Sequence, residues 1–180
     1  MARDLRAKPA REPIARIRGF GPVWREDARV LILGSMPSVE SLNRSFYYAH
    51  PRNAFWPMMA ELLGERPPES VDEKRDMLIR HGIALWDTVR ACEREGSLDS
   101  AIRAAEPNDF EWLYARCPKI RRVLFNGAAS EQFYRRMVAK EDARFRFARL
   151  PSTSPAYTLK YEAKRAAWER ALKEALHESD

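Results

Sequence analysis

"ARVLILG" at residues 28–34 returns with small changes as "RRVLFNG" at 121–127. Each stretch enters through small or basic residues, runs through an apolar block and leaves at a glycine. Short blocks of that density read as strands buried on both faces. "GIALWD" (82–87) makes a third, and "RFRFARL" (144–150), which alternates charged and apolar residues, suits a fourth at a sheet edge. Helical patterns fill the intervals. "AFWPMMAELLGE" tolerates Pro57 in its first turn, and "VDEKRDMLIRHG" stops at a glycine. "NDFEWLYARCP" opens with a capping Asn or Asp and ends before Pro118, and "AASEQFYRRMVAK" follows the 121–127 strand. "YEAKRAAWERALKEALHE" sets Tyr161, Trp168, Leu172, Ala175 and Leu176 on one face. Strands alternating with helices predict right-handed crossovers and a three-layer α/β/α sandwich around a short, mostly parallel four-stranded sheet.

A chain of 180 residues with 45% apolar and 32% charged residues suits one soluble domain. We expect a basic N-terminal arm over residues 1–27 and a single domain over 28–180. The arm carries Arg3, Arg6, Lys8, Arg11, Arg16 and Arg18 against Asp4 and Glu12, either as a solvated tail or as a strand of phosphate contacts. The net charge of +6 permits a polyanionic partner. No run is long and apolar enough to span a bilayer and no signal-peptide pattern opens the chain, so a cytoplasmic monomer is expected. Cys92 and Cys117 lack the company a zinc or iron–sulfur centre needs, so neither metal nor cofactor is expected. Walker A, GxGxxG and GxSxG patterns are absent as well, which sets aside nucleotide hydrolysis, dinucleotide redox chemistry and serine hydrolysis.

In a parallel sheet, ligands bind beyond the carboxyl ends of the strands. Those ends read "GSMPS" (34–38), "WDT" (86–88), "FNG" (125–127) and "LPSTSPAY" (150–157). The turn at Gly34 and Ser35 offers backbone N–H groups. Asn126 is either a turn residue or a carboxamide with the donor and acceptor needed to grip a base edge. The hydroxyls of Ser152, Thr153 and Ser154 make a surface connector or a phosphate-touching loop with Tyr157 as a wedge. "YYAHPRNAFW" (47–56) is richer than a helix start requires. Its Asn53 is a natural N-cap, and His50 is a structural histidine or a partner for a leaving group. Asp87 caps a helix over "TVRAC" or stands as a carboxylate at a strand end.

The ordered set "LILGSMPSVESL…YYAHPRNAFW…REGSLDSAI…NDF…VLFNG…LPSTSPAY" resembles the uracil-DNA glycosylase superfamily, and within it the hypoxanthine-DNA glycosylase branch. The resemblance covers about residues 29–168. It implies a monofunctional glycosylase that flips deaminated bases, hypoxanthine or uracil, out of DNA and hydrolyses their bond to the sugar during base excision repair. Most branches place a polar catalyst in the first loop, where this chain has Met36. In the hypoxanthine branch an asparagine further along takes that role, and Asn53 is the matching position. A histidine that usually opens the last motif is Leu150 here. On this basis Asn53 is the expected catalytic residue. Gly34, Ser35, Met36, Tyr48, His50, Phe55 and Asn126 are expected at the base, with Tyr48 or Phe55 stacking on it. Pro37, Ser38, Arg52, Ser152, Thr153, Ser154, Pro155 and Tyr157 are expected on DNA. Two rival readings are a non-catalytic nucleic-acid-binding module on the same fold and an N-glycosidase of free nucleosides.

Overall fold

The computed structural model describes residues 14–139 and 141–177. In chain order the strands are β1 (Arg16–Arg18), β2 (Val30–Gly34), β3 (Ile83–Asp87), β4 (Val89–Glu93), β5 (Arg103–Pro107), β6 (Arg122–Asn126) and β7 (Arg146–Leu150). The helices are α1 (Val39–Asn43), α2 (Phe55–Leu63), α3 (Val71–Arg80), α4 (Phe110–Arg116), α5 (Ala128–Met137) and α6 (Tyr161–His177). β3, β2, β6 and β7 lie side by side in that order, all parallel. This is the expected α/β fold with its four-stranded parallel sheet.

The apolar blocks explain the order. Val30, Leu31, Ile32 and Leu33 are wholly buried, as are Ala84, Leu85, Val123 and Phe125. Each such Leu, Ile or Phe contributes roughly 1.5–3 kcal/mol relative to exposure, so these strands take the middle of the molecule. β7, with Arg146 and Arg149 exposed and Phe147 and Ala148 only half-buried, takes the edge. α5 covers the face that carries Phe125 and Phe147, through Tyr134. α2 and α6 meet through Phe55 and Trp168.

A second sheet was not anticipated. β1, β4 and β5 form an antiparallel sheet in the order β1-β4-β5. Of the two readings of Asp87, a cap for a helix over "TVRAC" or a carboxylate at a strand end, the first falls away, because "TVRAC" runs into a strand. β3 ends at Asp87, Thr88 makes a one-residue corner, and Val89, Ala91 and Cys92 are buried while Arg90 is exposed. That near-alternation is a strand's period, and it outweighs the capping option. Asp87 therefore stands at a strand end.

The packed body also reaches into the stretch read as an arm. Arg16–Arg18 pair with Glu93, Cys92 and Ala91. Val23 is buried and exchanges two 2.9 Å backbone hydrogen bonds with Leu85. Arg3, Arg6, Lys8 and Arg11 lie outside the described residues. Among the described residues no helix is long and apolar enough to cross a membrane.

Candidate active site

The registers Gly34↔Asp87 and Asn126↔Leu150 bring all four strand exits to one edge of the parallel sheet. A pocket opens there. It is lined by the first loop from Gly34 to Ser38, by Tyr48 and Asn53, by Asp87 and Asp99, and by Asn126 with Ser152, Thr153 and Ser154.

The first loop is stitched to its neighbours. Ser130 Oγ, at the start of α5, donates to the carbonyls of Leu33 and Gly34 at 2.8 and 3.0 Å. Thr88 N and Val89 N donate to the carbonyls of Gly34 and Ser35. Ser35 Oγ donates to Asp99 Oδ1 at 2.6 Å, and Arg94 donates to the Pro37 carbonyl. Ser38 caps α1, accepting from Ser41 N at 3.1 Å. Met36 points partly inward, packing with Val89, Cys92 and Ile102 while it lines the pocket. Gly34 is needed for room. A Cβ there would collide with Asp87 Oδ1 and come within 2.8 Å of the Tyr48 hydroxyl.

Asn53 belongs to a turn that precedes α2. Its N–H donates to the His50 carbonyl at 2.9 Å, and its Oδ1 accepts from Phe55 N at 3.0 Å. The helix cap itself is Ala54, so Asn53 acts from one residue further out than expected. Ala54 N donates to the Thr153 carbonyl at 3.0 Å, which ties this turn to the last loop. The Asn53 amide nitrogen has no hydrogen bond to protein and the residue lines the pocket.

Asn126 and Thr153 are paired twice, Nδ2 donating to Oγ1 and Thr153 N donating to Oδ1, both at 2.9 Å. A carboxamide has two N–H groups and two oxygen lone pairs. One donor and one acceptor of Asn126 therefore remain, the donor lying beside the Tyr48 hydroxyl at the pocket wall. Gly127 follows with φ of 95°, and a Cβ on it would press within 3.1 Å of Ser152 Cβ. The last loop is braced internally by Ser154 N on Ser152 Oγ and Ala156 N on Ser154 Oγ, both 3.2 Å. From below, Lys164 Nζ donates to the Ser154 carbonyl at 3.0 Å.

Tyr48 adopts a positive φ of 50°, a strained conformation for so large a residue, which holds its ring beside the pocket. Burial, then the nearby Asp87 charge, push its hydroxyl far above the ordinary tyrosine range, so it stays protonated. Phe55 does not share this position. It is wholly buried, with its ring centroid 4.2 Å from that of Tyr48 and further edge contacts to Trp56 and Trp168. The expectation that Phe55 stacks on a base is corrected: it supports Tyr48 from the core side. The sequence leaves His50 open between a structural histidine and a partner for a leaving group, and its contacts favour the first. His50 Nδ1 accepts from Arg52 N at 3.0 Å, and the ring is not part of the pocket lining. Arg52, Pro155 and Tyr157 likewise lie outside the lining. Arg52 and Tyr157 are exposed, as a surface contact to DNA requires.

Sequence reasoning left Asp87 undecided and did not nominate Asp99. Both line the pocket. Asp87 is 3% exposed, and its Oδ2 is sealed without a hydrogen-bond partner. Burial first, and then the charge of Asp99, raise its carboxyl to about 8, against a partial offset from Arg94. Burial also raises Asp99, opposed by its bond from Ser35 and by Arg94. An acid closing a buried strand was the available signal. Among the described residues no cluster of His, Cys, Asp and Glu could hold a metal ion.

A family model for the uracil DNA glycosylase superfamily matches residues 22–177. The chain is 41% identical over 117 residues to a hypoxanthine DNA glycosylase of Methanosarcina acetivorans, and 38% identical over the same length to one of Methanosarcina barkeri. Both alignments cover 64% of this chain and 74% of the relative. A solution NMR structure from Methanosarcina acetivorans, provisionally described as a uracil DNA glycosylase, superposes with a TM-score of 0.76 at 34% identity. The superposition covers 91% of this chain and all of that one.

Proposed function

The chain belongs to the uracil DNA glycosylase superfamily, and from that premise we propose that this DNA glycosylase for deaminated bases releases hypoxanthine, and with it uracil, from a flipped-out nucleotide in base excision repair. The observation that carries the reading is the meeting of Asn53 and Asn126 on one pocket, joined through Thr153.

Deamination replaces an exocyclic amine with a carbonyl. The carbonyl spreads the negative charge that forms as the base departs, so the deaminated base leaves more readily than its parent. Extrusion costs a few kcal/mol, least when the base is mispaired. Contacts from Ser152, Ser154 and the exposed basic residues to phosphate offset that cost. Asn126 presents its remaining donor and acceptor to the edge of the base, and Tyr48 supplies an aromatic face beside it. The bond to the sugar then stretches until C1′ is close to an oxocarbenium ion. Asn53 holds water against that carbon through its unused amide. A neutral amide is a poor base, but orientation suffices when the electrophile is already cationic. The scheme is monofunctional and needs no metal.

The test is Asn53→Ala on a duplex containing deoxyinosine. DNA binding is expected to persist while base release, scored by alkaline cleavage of abasic sites, falls by about 100-fold or more. Undiminished release would remove Asn53 from the mechanism. Parallel duplexes carrying uracil and xanthine rank the base preference.

A further inference from the structure

We propose that Asp87, as a neutral carboxylic acid, donates a hydrogen bond to the carbonyl of the extruded base and so stabilises the base as it leaves. The inference rests on the glycosylase reading above and adds to it the group that receives the leaving electrons.

Placement comes first. Asp87 ends β3, pairs in register with Gly34, and lines the pocket beside Asn126 and Tyr48. Its approach to the first loop exists only because residue 34 has no Cβ. Gly34 is not among the glycines with positive φ, so the glycine is there for the space that the carboxyl occupies. Asn108 Nδ2 donates to the Asp87 carbonyl at 2.7 Å and fixes the backbone.

The surroundings decide the charge. Oδ2 is buried with no hydrogen-bond partner, and an unpaired ionised carboxylate in such a place is expensive. The charged and titratable neighbours are few. Arg94, just after β4, gives its hydrogen bond to the Pro37 carbonyl rather than to Asp87, and its charge offsets only part of the rise that burial and Asp99 impose. Asp99, in the turn before β5, carries the same sign as an ionised Asp87. Tyr47 and Tyr48, from the segment before α2, are raised by burial first and by that charge second, and stay neutral. Burial and Asp99 together keep the Asp87 proton in place through neutral pH.

The chemistry follows from deamination. An amine on the base donates, whereas the carbonyl that replaces it only accepts. A carboxylate can only accept as well, so ionised Asp87 would repel the carbonyl and suit an unmodified amino base. The neutral acid reverses that preference. As the bond from the base nitrogen to C1′ breaks, its electron pair stays with the base and spreads onto the carbonyl oxygen, where the Asp87 proton strengthens its hold. Water adds to C1′ and loses a proton. The released base takes up one proton, and Asp87 ends the cycle protonated as it began. Leu150, in the place where a histidine would stand in related branches, has no proton to offer.

Single-turnover release of hypoxanthine from a duplex is measured between about pH 6.5 and 9.5 for the wild type, Asp87→Asn and Asp87→Ala, with folding checked by thermal unfolding. The wild-type rate is expected to fall roughly tenfold per pH unit above about pH 8. Asp87→Asn keeps an N–H donor and should release base at a reduced rate that no longer falls over this range. Asp87→Ala should lose about 100-fold at neutral pH. An Asp87→Asn profile that falls like the wild type, or an Asp87→Ala rate equal to the wild type, overturns the role of Asp87 and leaves the glycosylase reading standing. A wild type that binds the duplex but releases no deaminated base at any pH overturns both.

Discussion

Asn126 and Thr153, from the end of β6 and the loop after β7, hold each other by two hydrogen bonds of 2.9 Å, one from each partner. The Thr153 carbonyl meanwhile accepts from Ala54 N, next to Asn53. One threonine, 1% exposed, thus sets the attitude of one asparagine directly and the position of the other through the backbone.

Thr153→Val should expose that dependence. It deletes the Oγ1 acceptor, keeps the shape and leaves both backbone bonds in place. Stability should drop by about 0.5–1.5 kcal/mol, while single-turnover base release should fall about tenfold, because Asn126 can then rotate. Stability loss with unchanged release would show that Asn126 is oriented by other means.

Gly34→Ala places a methyl group against Asp87 Oδ1 and the Tyr48 hydroxyl. Overpacking of this kind costs about 1–3 kcal/mol, so a lowered melting temperature and a strong loss of base release are expected. Gly21→Ala is the control. Nothing lies within 4 Å of a Cβ there, and its melting temperature and activity should match the wild type.

Stability should depend on pH through Asp87. Its carboxyl is raised from 3.8 to about 8 in the folded chain. Between those values the unfolded carboxyl is ionised and the folded one is protonated. Folding therefore takes up a proton, and stability falls as pH rises, levelling off above about 8. Asp87→Asn removes this contribution. Its advantage in melting temperature over the wild type should be small at pH 4 and grow to several degrees by pH 8–9. A constant difference across that range would mean that Asp87 titrates alike in both states.

Lys164 is 5% exposed, and its ammonium reaches the Ser154 carbonyl beneath the last loop. It also lies 5.5 Å from the centroid of the Tyr157 ring. Lys164→Met should loosen that loop and weaken DNA affinity several-fold. Because the ammonium faces inward, the salt dependence of binding should keep its slope. A shallower slope would place the charge on a phosphate instead.

The parallel sheet was legible because its strands are dense apolar blocks, which favour burial whatever surrounds them. The edge position of β7 was legible from its alternation. β4 and β5 were not. β4 follows β3 after a single residue, too close for a separate element to announce itself, and Arg103–Pro107 has little apolar content of its own. β5 forms because β4 offers it partners, and such pairing leaves no local mark. Asn53 and Asn126 stood out as polar residues beside apolar runs. Phe55 was misassigned by its company of aromatics, although its spacing with Met58 and Met59 already matched the inward face of α2. Asp99 reaches the pocket through a turn whose course nothing in "REGSLDS" dictates.

The pairing of Arg16–Arg18 with β4 has a practical consequence for anyone shortening the chain. A version begun at residue 28 would leave the outer rim of β4 with bare amides and carbonyls next to Cys92. Such a rim is an open invitation for another molecule to add a strand, so the trimmed protein would be expected to self-associate.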